Sequence, residues 1–167
     1  MIKITSYFES ISIKSGLRTE FHKITDKVKS VLSKSKIKNG IATIYSPHTT
    51  CPLLIQEDSL DADPEGTRFL FQDLLDVFEK IIPRCYRIGQ YIHPGPKMIK
   101  YAEDLGDQLG YVLNTHAHLR SSLMCHSQTI PVVDGKLQLG IHQDLWFIDL
   151  DDTRERERKI HVQVIGE

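Results

Sequence analysis

Residues 129–140 read TIPVVDGKLQLG, and this short stretch carries the strongest fold signal in the sequence. Asp134-Gly135 suits the positive φ angles of a tight two-residue turn, and β-forming residues stand on both sides of it. The stretch therefore predicts a β-hairpin, in which the two neighbouring strands run antiparallel.

Similar patterns outside the hairpin predict further strands. Ile2, Ile4 and Phe8 alternate with polar residues, Ile11 and Ile13 repeat the period of two, and the sequence near the carboxyl end alternates in the same way. The additional predicted strands are residues 2–13, 40–46, 51–56, 145–150 and 159–166.

Helices are predicted where apolar residues recur at three- and four-residue intervals. The first helix is predicted over 20–36, because Phe21, Ile24 and Val28 keep that spacing. A second apolar stripe runs over 70–82 and stops at Pro83. Asn114 is a candidate N-cap for a third helix that ends near residue 124, whereas 93–113 is predicted to be irregular with one short helix.

Together these elements predict a single domain over residues 1–167 of the α+β class. Its sheet or sandwich should be mostly antiparallel, with two or three packed helices on one side. A parallel nucleotide-binding sheet is not expected, because the sequence has neither a glycine-rich phosphate loop nor a Gly-x-Ser-x-Gly motif.

The composition narrows the possible partners and compartments. The formal net charge of −1 argues against a nucleic-acid-binding surface, which needs a basic excess. No apolar run approaches the roughly 20 residues that span a bilayer, and the start lacks the features of a signal peptide. Cys51, Cys85 and Cys125 are odd in number and far apart, which is typical of reduced thiols and predicts a cytoplasmic protein.

Histidines are the main candidates for a functional site. His116 and His118 would share one side of a strand, but on the predicted helix they lie about 200° apart, so only one can face a given site. His48 lies in a turn between two strands and His93 in a loop, where site residues are common. From spacing alone, each can equally be a hydrogen-bonded structural residue or a metal ligand.

Three arginines alternate near the carboxyl end, at Arg154, Arg156 and Arg158. Such a run is more often a solvated strand end or a subunit contact. On a strand, however, alternate arginines share a face, so two of them could bind one phosphate.

Several pieces in this order resemble the YjbQ-like family of secondary thiamine-phosphate synthase enzymes. The resemblance covers nearly the whole chain and is least diagnostic over residues 1–40. The matching pieces are HTT at 48–50, LLIQED at 53–58, DLLDVFEKIIP at 73–83, His93, the block NTHAHLRSSLMCHSQTIPVVDGKLQLGIHQDLWF at 114–147, and RERKIHVQVIGE at 156–167. The resemblance implies a compact YjbQ-like α+β fold that assembles as a homotrimer, with sites near or between subunits.

The resemblance also implies site residues. The recurrent histidines of the family fall on His48, His93 and His118, which would be metal ligands; His116 has no recurrent equivalent. Glu57 would be a general base or would orient an imidazole, and Gln143 is the second catalytic candidate. The remaining positions implied are the substrate-binding Thr49, Thr50, Asn114 and Ser122, and the aspartate Asp73 of the second helix.

The activity implied by the resemblance joins a pyrimidine pyrophosphate to a thiazole phosphate, with release of pyrophosphate. Histidine ligands favour zinc over magnesium as the divalent metal, so hydrolysis or transfer on another small phosphorylated metabolite is a close alternative. A non-catalytic trimeric protein that binds a metal or a small ligand is the second possibility. Relative to the family pattern, Cys125, His142 and Asp149 are unusual, and both the turn after Glu57 and the 93–114 segment are longer.

Overall fold

The computed structural model describes residues 4–167, and two sheets with helices around them make up its fold. The strands are β1 (Thr5–Ser15), β2 (Glu20–Lys23), β3 (Gly40–Tyr45), β4 (Leu53–Glu57), β5 (Ser127–Val133), β6 (Lys136–Leu137), β7 (Gln143–Asp149) and β8 (Arg156–Gly166). The helices are α1 (Thr25–Ser35), α2 (Phe69–Ile81), α3 (Pro96–Asp104) and α4 (Thr115–Ser122), with a 3₁₀ turn over Leu109–Val112.

Every strand pair in the two sheets is antiparallel, which confirms the predicted α+β class. The larger sheet has the order β1-β8-β3-β5-β6, and the smaller has the order β2-β7-β4. A bridge between Leu53 of β4 and Cys125, just before β5, connects the two sheets at one end. In the described part of the chain, no helix is long and apolar enough to cross a membrane.

The predicted hairpin is confirmed. Val133 pairs with Lys136, and the two residues between them have positive φ angles, 50° at Asp134 and 71° at Gly135. This is the conformation of the two-residue hairpin turn whose twist matches that of the adjoining strands.

The prediction of a helix over 20–36 was wrong at its start. Residues Glu20–Lys23 form β2 and pair with β7, and the helix begins only at Thr25. Phe21 fits a helical spacing with Ile24, but its ring stacks on Phe71 with centroids 4.3 Å apart. Tertiary packing thus decides a segment whose apolar spacing is ambiguous.

Thr25 marks the change from strand to helix. Its hydroxyl donates to Oδ1 of Asp144 at 2.7 Å and accepts the backbone N–H of Leu145 at 2.8 Å. From there on the helical prediction is confirmed, because Val28 and Val31 of α1 are buried against the larger sheet.

Other boundaries differ in smaller ways. The last strand starts at Arg156, three residues before the prediction, and α4 ends at Ser122. Asn114 occupies the N-cap position of α4, but its side chain donates to Oδ2 of Asp151 instead of capping the helix. The predicted strand residue Ile2 lies outside the described residues.

A buried ion pair, Asp149–Arg158, joins the smaller sheet to the larger one. Arg158 donates from Nε to Oδ2 at 2.6 Å and from a terminal nitrogen to Oδ1 at 3.0 Å. Ser15 and Cys51 also donate to the carboxylate, at 2.6 and 3.3 Å. Burial and the nearby Asp149 charge raise the pKa of Cys51, so its thiol stays protonated.

We predict that Asp149→Asn destabilises the fold by about 3–5 kcal/mol, because it leaves the buried Arg158 charge without a counterion. Urea unfolding measures this loss. The matched control is Asp104→Asn, which removes the exposed pair with Lys100 and should cost less than about 0.5 kcal/mol. Equal effects of the two substitutions would contradict a dominant role for the buried pair.

Candidate functional site

Helix α4 separates the two neighbouring histidines, as the sequence predicts. His116 points inward and is only 1% exposed; its Nδ1 accepts the backbone N–H of Cys85 at 3.3 Å. His118 lies on the other side of the helix, half-buried, where it lines two clefts. His116 is therefore a hydrogen-bonded core residue, and His118 is the site candidate of the pair.

The first of these, the histidine cleft, has a volume of about 430 Å³ and lies between the β3–β4 turn and the end of α4. Its lining residues are Tyr45, Ser46, Pro47, His48, Thr49, His118, Ser122 and His126. This lining offers hydroxyl groups and imidazoles but no carboxylate, lysine or arginine.

The second, the arginine cleft, has a volume of about 310 Å³ and shares His118 with the histidine cleft. Its polar lining residues are His93, Asp107, Asn114, His118, Arg154 and Arg156; Met98, Tyr101, Ala102, Leu105, Tyr111 and Val112 line the rest. His118 thus lies at the junction of two chemically different spaces.

His93 faces His118 across this junction, with ring centroids 5.8 Å apart. The hydroxyl of Thr115 donates its one proton to the carbonyl oxygen of His93 at 2.7 Å. The Thr115 hydroxyl oxygen also lies 2.9 Å from Nδ1 of His93, so this oxygen must accept there and Nδ1 must carry the hydrogen. In the neutral ring, the free lone pair of His93 is therefore on Nε2.

The surroundings of His118 lower its pKa and so favour the neutral imidazole. Burial lowers its pKa most, the neighbouring His93 and Arg156 lower it further, and Asp151 opposes them. A neutral imidazole can accept a proton or bind a metal ion.

His48 differs from His93 and His118 because one of its ring nitrogens already accepts a backbone hydrogen bond. Its Nε2 accepts the backbone N–H of Lys159 at 2.8 Å, so in the neutral ring the hydrogen is on Nδ1. Burial and the Arg158 charge lower the pKa of His48, which favours this neutral form. His48 is therefore a hydrogen-bond donor through Nδ1, because its other nitrogen is already occupied.

The three histidines predicted as metal ligands are not gathered into one metal site. Among residues 4–167, no group of three or more His, Cys, Asp or Glu side chains could hold a metal ion. His93 and His118 fit as a pair, since two imidazoles on one tetrahedral zinc have ring centres about 5–6 Å apart. Since Nε2 of His48 is occupied, that residue does not complete the set.

The predicted substrate-binding residues are divided among different places. Thr49 and Ser122 line the histidine cleft, although Ser122 donates its proton to the carbonyl oxygen of His118 at 2.8 Å. Asn114 lines the arginine cleft. Thr50 is buried, lines neither cleft and accepts a 3.4 Å hydrogen bond from Arg158, so the structure gives it a place in the core.

The two predicted catalytic residues lie at the far end of the smaller sheet. Glu57 of β4 pairs with Gln143 of β7. Glu57 lies four residues beyond Leu53, which bridges to Cys125 at the end of the sheet near the clefts. Gln143 accepts the backbone N–H of Gly140 through its side-chain oxygen. Neither residue lines a cleft, nor does the exposed Asp73 of α2. Within one chain they are not brought to the histidines.

Asp151 is a site residue that sequence reasoning missed. It is fully buried and accepts hydrogen bonds from Asn114, Thr153 and Arg156. Burial acts to raise the pKa of Asp151, but these hydrogen bonds and the Arg156 charge outweigh it and hold the pKa below its usual range. Asp151 therefore orients two groups of the arginine cleft, and its sequence signal was its place in the acidic stretch 149–152, just before the alternating arginines.

We predict that in Thr115→Val the neutral His93 ring is no longer restricted to the Nδ1–H tautomer, because the hydroxyl oxygen that accepts from Nδ1 is absent. Nitrogen-15 NMR of the imidazoles should show Nδ1–H at His93 in the unmodified chain and a mixture of tautomers in the variant. Thr115→Ser keeps the hydroxyl and should keep the single tautomer. An Nε2–H signal for His93 in the unmodified chain would contradict the assignment.

Comparison with known proteins shows close relatives of the whole fold. The family model described as UPF0047 protein YjbQ-like matches residues 9–167. A UPF0047 protein of Methanocaldococcus jannaschii is 34% identical over 155 residues, covering 93% of this chain and 91% of that protein. The UPF0047 protein YugU of Bacillus subtilis is 30% identical over 148 residues, covering 89% and 92%.

Solved structures agree with this result. A crystal structure of a YbjQ-like protein of unknown function from Sulfolobus solfataricus is 28% identical and superposes with a TM-score of 0.76, covering 99% of this chain and all of that one. A hypothetical protein from Aeropyrum pernix is 29% identical with a TM-score of 0.71, covering 96% and 98%.

Proposed function

This chain belongs to the UPF0047 YjbQ-like protein family, and within that family we propose that it is an enzyme acting on a small phosphorylated molecule. The reaction takes place at His118, where the two clefts meet. Hydrolysis or transfer of the phosphorylated group is the proposed reaction class, and thiamine-phosphate synthesis is one candidate within it.

The observation that carries this proposal is the pair of imidazoles at the junction. The lowered pKa of His118 favours the neutral ring, whose one free lone pair can either hold a metal ion or accept a proton from an attacking water or hydroxyl group. In the neutral form of His93, Thr115 holds the hydrogen on Nδ1, so the free lone pair is on Nε2. His48, Thr49 and Ser122 surround the other side of His118 and would hold the part of the substrate that occupies the histidine cleft.

A divalent metal ion is part of the proposal, with zinc preferred over magnesium because the available ligands are imidazoles. His93 and His118 would hold the ion, and the fixed Nδ1–H of His93 is the kind of contact that orients metal-binding histidines. Bound there, it would offset the negative charge of phosphate oxygens. His48 enters the proposal as a donor to the substrate.

We predict that His118→Gln lowers turnover about a hundredfold or more, because the site loses the one free imidazole lone pair that serves as metal ligand or, without the metal, as proton acceptor. The assay uses the two thiamine precursors and a panel of phosphate monoesters, with zinc or magnesium, and zinc binding is titrated on the same samples. The control is His142→Gln, because His142 is exposed and lines neither cleft.

Each of three negative results would contradict one part of the proposal. Absence of turnover on every substrate with either metal would remove the enzyme. Absence of stoichiometric zinc binding would remove the metal. An equal loss in both variants would remove the special role of His118.

We also propose that the chain assembles as a homotrimer in the cytoplasm. One face of the larger sheet carries no covering element in the described chain and displays apolar side chains that are 40–56% exposed. These are Phe8, Ile41, Tyr45, Val133 and Ile165. Tyr45 also lines the histidine cleft, so a second copy on this face would lie at the edge of the site.

We predict that Phe8→Glu shifts the protein from trimer to monomer in analytical ultracentrifugation, because it places a charge in an apolar contact. Leu60→Glu is the matched control; Leu60 is 94% exposed and lies outside this sheet, so the trimer should persist. A monomeric unmodified chain at micromolar concentration would contradict the assembly.

A non-catalytic trimer that binds a small ligand is the alternative function. It is favoured by the position of Glu57 and Gln143, which leaves the histidine cleft without the carboxylate expected of a general base. The turnover assay above distinguishes the two, since a binding protein would take up the ligand without converting it.

A further inference from the structure

The alternating arginines at and just before the start of β8 lie in two different environments. Arg158 is buried and bound by Asp149 through both of its carboxylate oxygens. Arg154 and Arg156 instead line the arginine cleft, next to His93 and His118. Two guanidinium groups therefore reach the junction at which the proposed reaction takes place.

Arg154 is held in place but remains accessible. Its guanidinium lies 4.9 Å from the centre of the Tyr111 ring and donates to Oδ1 of Asp107 at 3.0 Å. Its side chain is 38% exposed. A guanidinium has five N–H donors, so one bond to Asp107 leaves the others free for a ligand in the cleft.

Arg156 lies deeper in the cleft. One terminal nitrogen donates to the buried carboxylate of Asp151, which fixes the side chain from behind. Its Nε is buried and has no hydrogen-bond partner among residues 4–167. Arg156 also lines the cleft, so the terminal N–H groups that Asp151 does not use are the candidates for charge-assisted hydrogen bonds to an anion there.

The two clefts differ in the charge of their lining residues. Among the described residues, the lining of the histidine cleft offers hydroxyl groups and imidazoles but no lysine or arginine. The arginine cleft has two permanent cations, with Asp107 as the carboxylate in its lining. Arginine binds phosphate through two parallel N–H groups, which makes this cleft the better site for a phosphate dianion than the hydroxyls of Thr49 and Ser122.

The opposite wall of the arginine cleft is apolar. Met98, Tyr101 and Leu105 of the α3 region line it, with Val112 of the 3₁₀ turn. A volume of about 310 Å³ is at the lower end of small-molecule sites. These side chains all come from the segment between α2 and α4, so one stretch of the chain supplies the whole apolar wall.

We infer that the arginine cleft is a subsite for the phosphate group of a phosphate monoester, in which Arg154 and Arg156 bind the phosphate oxygens and the α3 wall contacts the organic part. This inference rests on the proposed function, because it assigns the charged group of the substrate to one of the two clefts. Thr49 and Ser122 are left to hold the part of the substrate that occupies the histidine cleft.

The test is calorimetric titration of the full chain with inorganic phosphate, phenyl phosphate and benzoate. Arg154→Gln should weaken the binding of both phosphates about ten- to hundredfold, as expected for loss of charge-assisted hydrogen bonds. Arg84→Gln is the matched control, since Arg84 also pairs with an aspartate at 3.0 Å and stacks over a tyrosine but lines neither cleft. Its binding should stay within about twofold of the unmodified chain.

Phenyl phosphate should bind more tightly than inorganic phosphate because of the apolar wall, and benzoate should bind more weakly than phenyl phosphate. Arg156→Lys is the second variant: it keeps the positive charge opposite Asp151 and should still weaken phosphate, because lysine lacks the planar donor group. Thermal unfolding of each variant confirms that it is folded.

Three results would overturn the inference: no phosphate binding, equal binding by the Arg154 and Arg84 variants, or benzoate binding as tight as that of phenyl phosphate. Arginine-dependent phosphate binding in a chain without turnover would support the subsite and remove the enzyme. Turnover that depends on His118 but not on Arg154 would keep the enzyme and remove the subsite.

Discussion

The buried pair of Asp149 and Arg158 is the interaction on which the rest of the structure depends. It connects β7 of the smaller sheet to β8 of the larger one, and Ser15 extends the connection to β1. Cys51 and Thr50 contact the same pair from the segment that follows His48. A charge buried in this way is stable only with a complete set of partners, so these segments have to meet in one arrangement. The pair thereby sets the position of the His48 turn.

A second set of polar contacts, centred on Asp151, connects the Asp149–Arg158 pair to the walls of the clefts. Asp151 lies two residues after Asp149 and donates its backbone N–H to the Asp149 carboxylate. Its own carboxylate accepts from Asn114, at the start of α4, and from Arg156, at the start of β8. The helix that carries His118 and the strand that carries the arginines therefore have a common buried anchor. Function and fold are coupled because the same short acidic segment serves both.

The sequence was sufficient for features that depend on local geometry. Asp134-Gly135 requires a hairpin turn, and the helical angle between residues two apart separates His116 from His118. The sequence was not sufficient where the apolar spacing fits both a helix and a strand and packing decides between them. Phe21 fits the helical spacing, but it lies in β2 and its ring stacks on Phe71 of α2. Nor could spacing show that Thr50 is buried or that Glu57 lies at the far end of β4. Those outcomes depend on contacts between segments that are distant in sequence.

Under the proposed function, the two clefts are two separate places at which substrate choice can be set. His118 belongs to both, so a change in either cleft alters what reaches the same imidazole. The histidine cleft is built by the β3–β4 turn and α4, which the Asp149 and Asp151 contacts hold in place. The arginine cleft combines a rigid wall, the start of β8, with a wall from the 93–114 segment that makes few contacts with either sheet. Under the proposed function, substitutions at the exposed wall residues Met98, Tyr101 and Leu105 would change what the cleft holds, while the His93–His118 pair and the Asp151 anchor are retained.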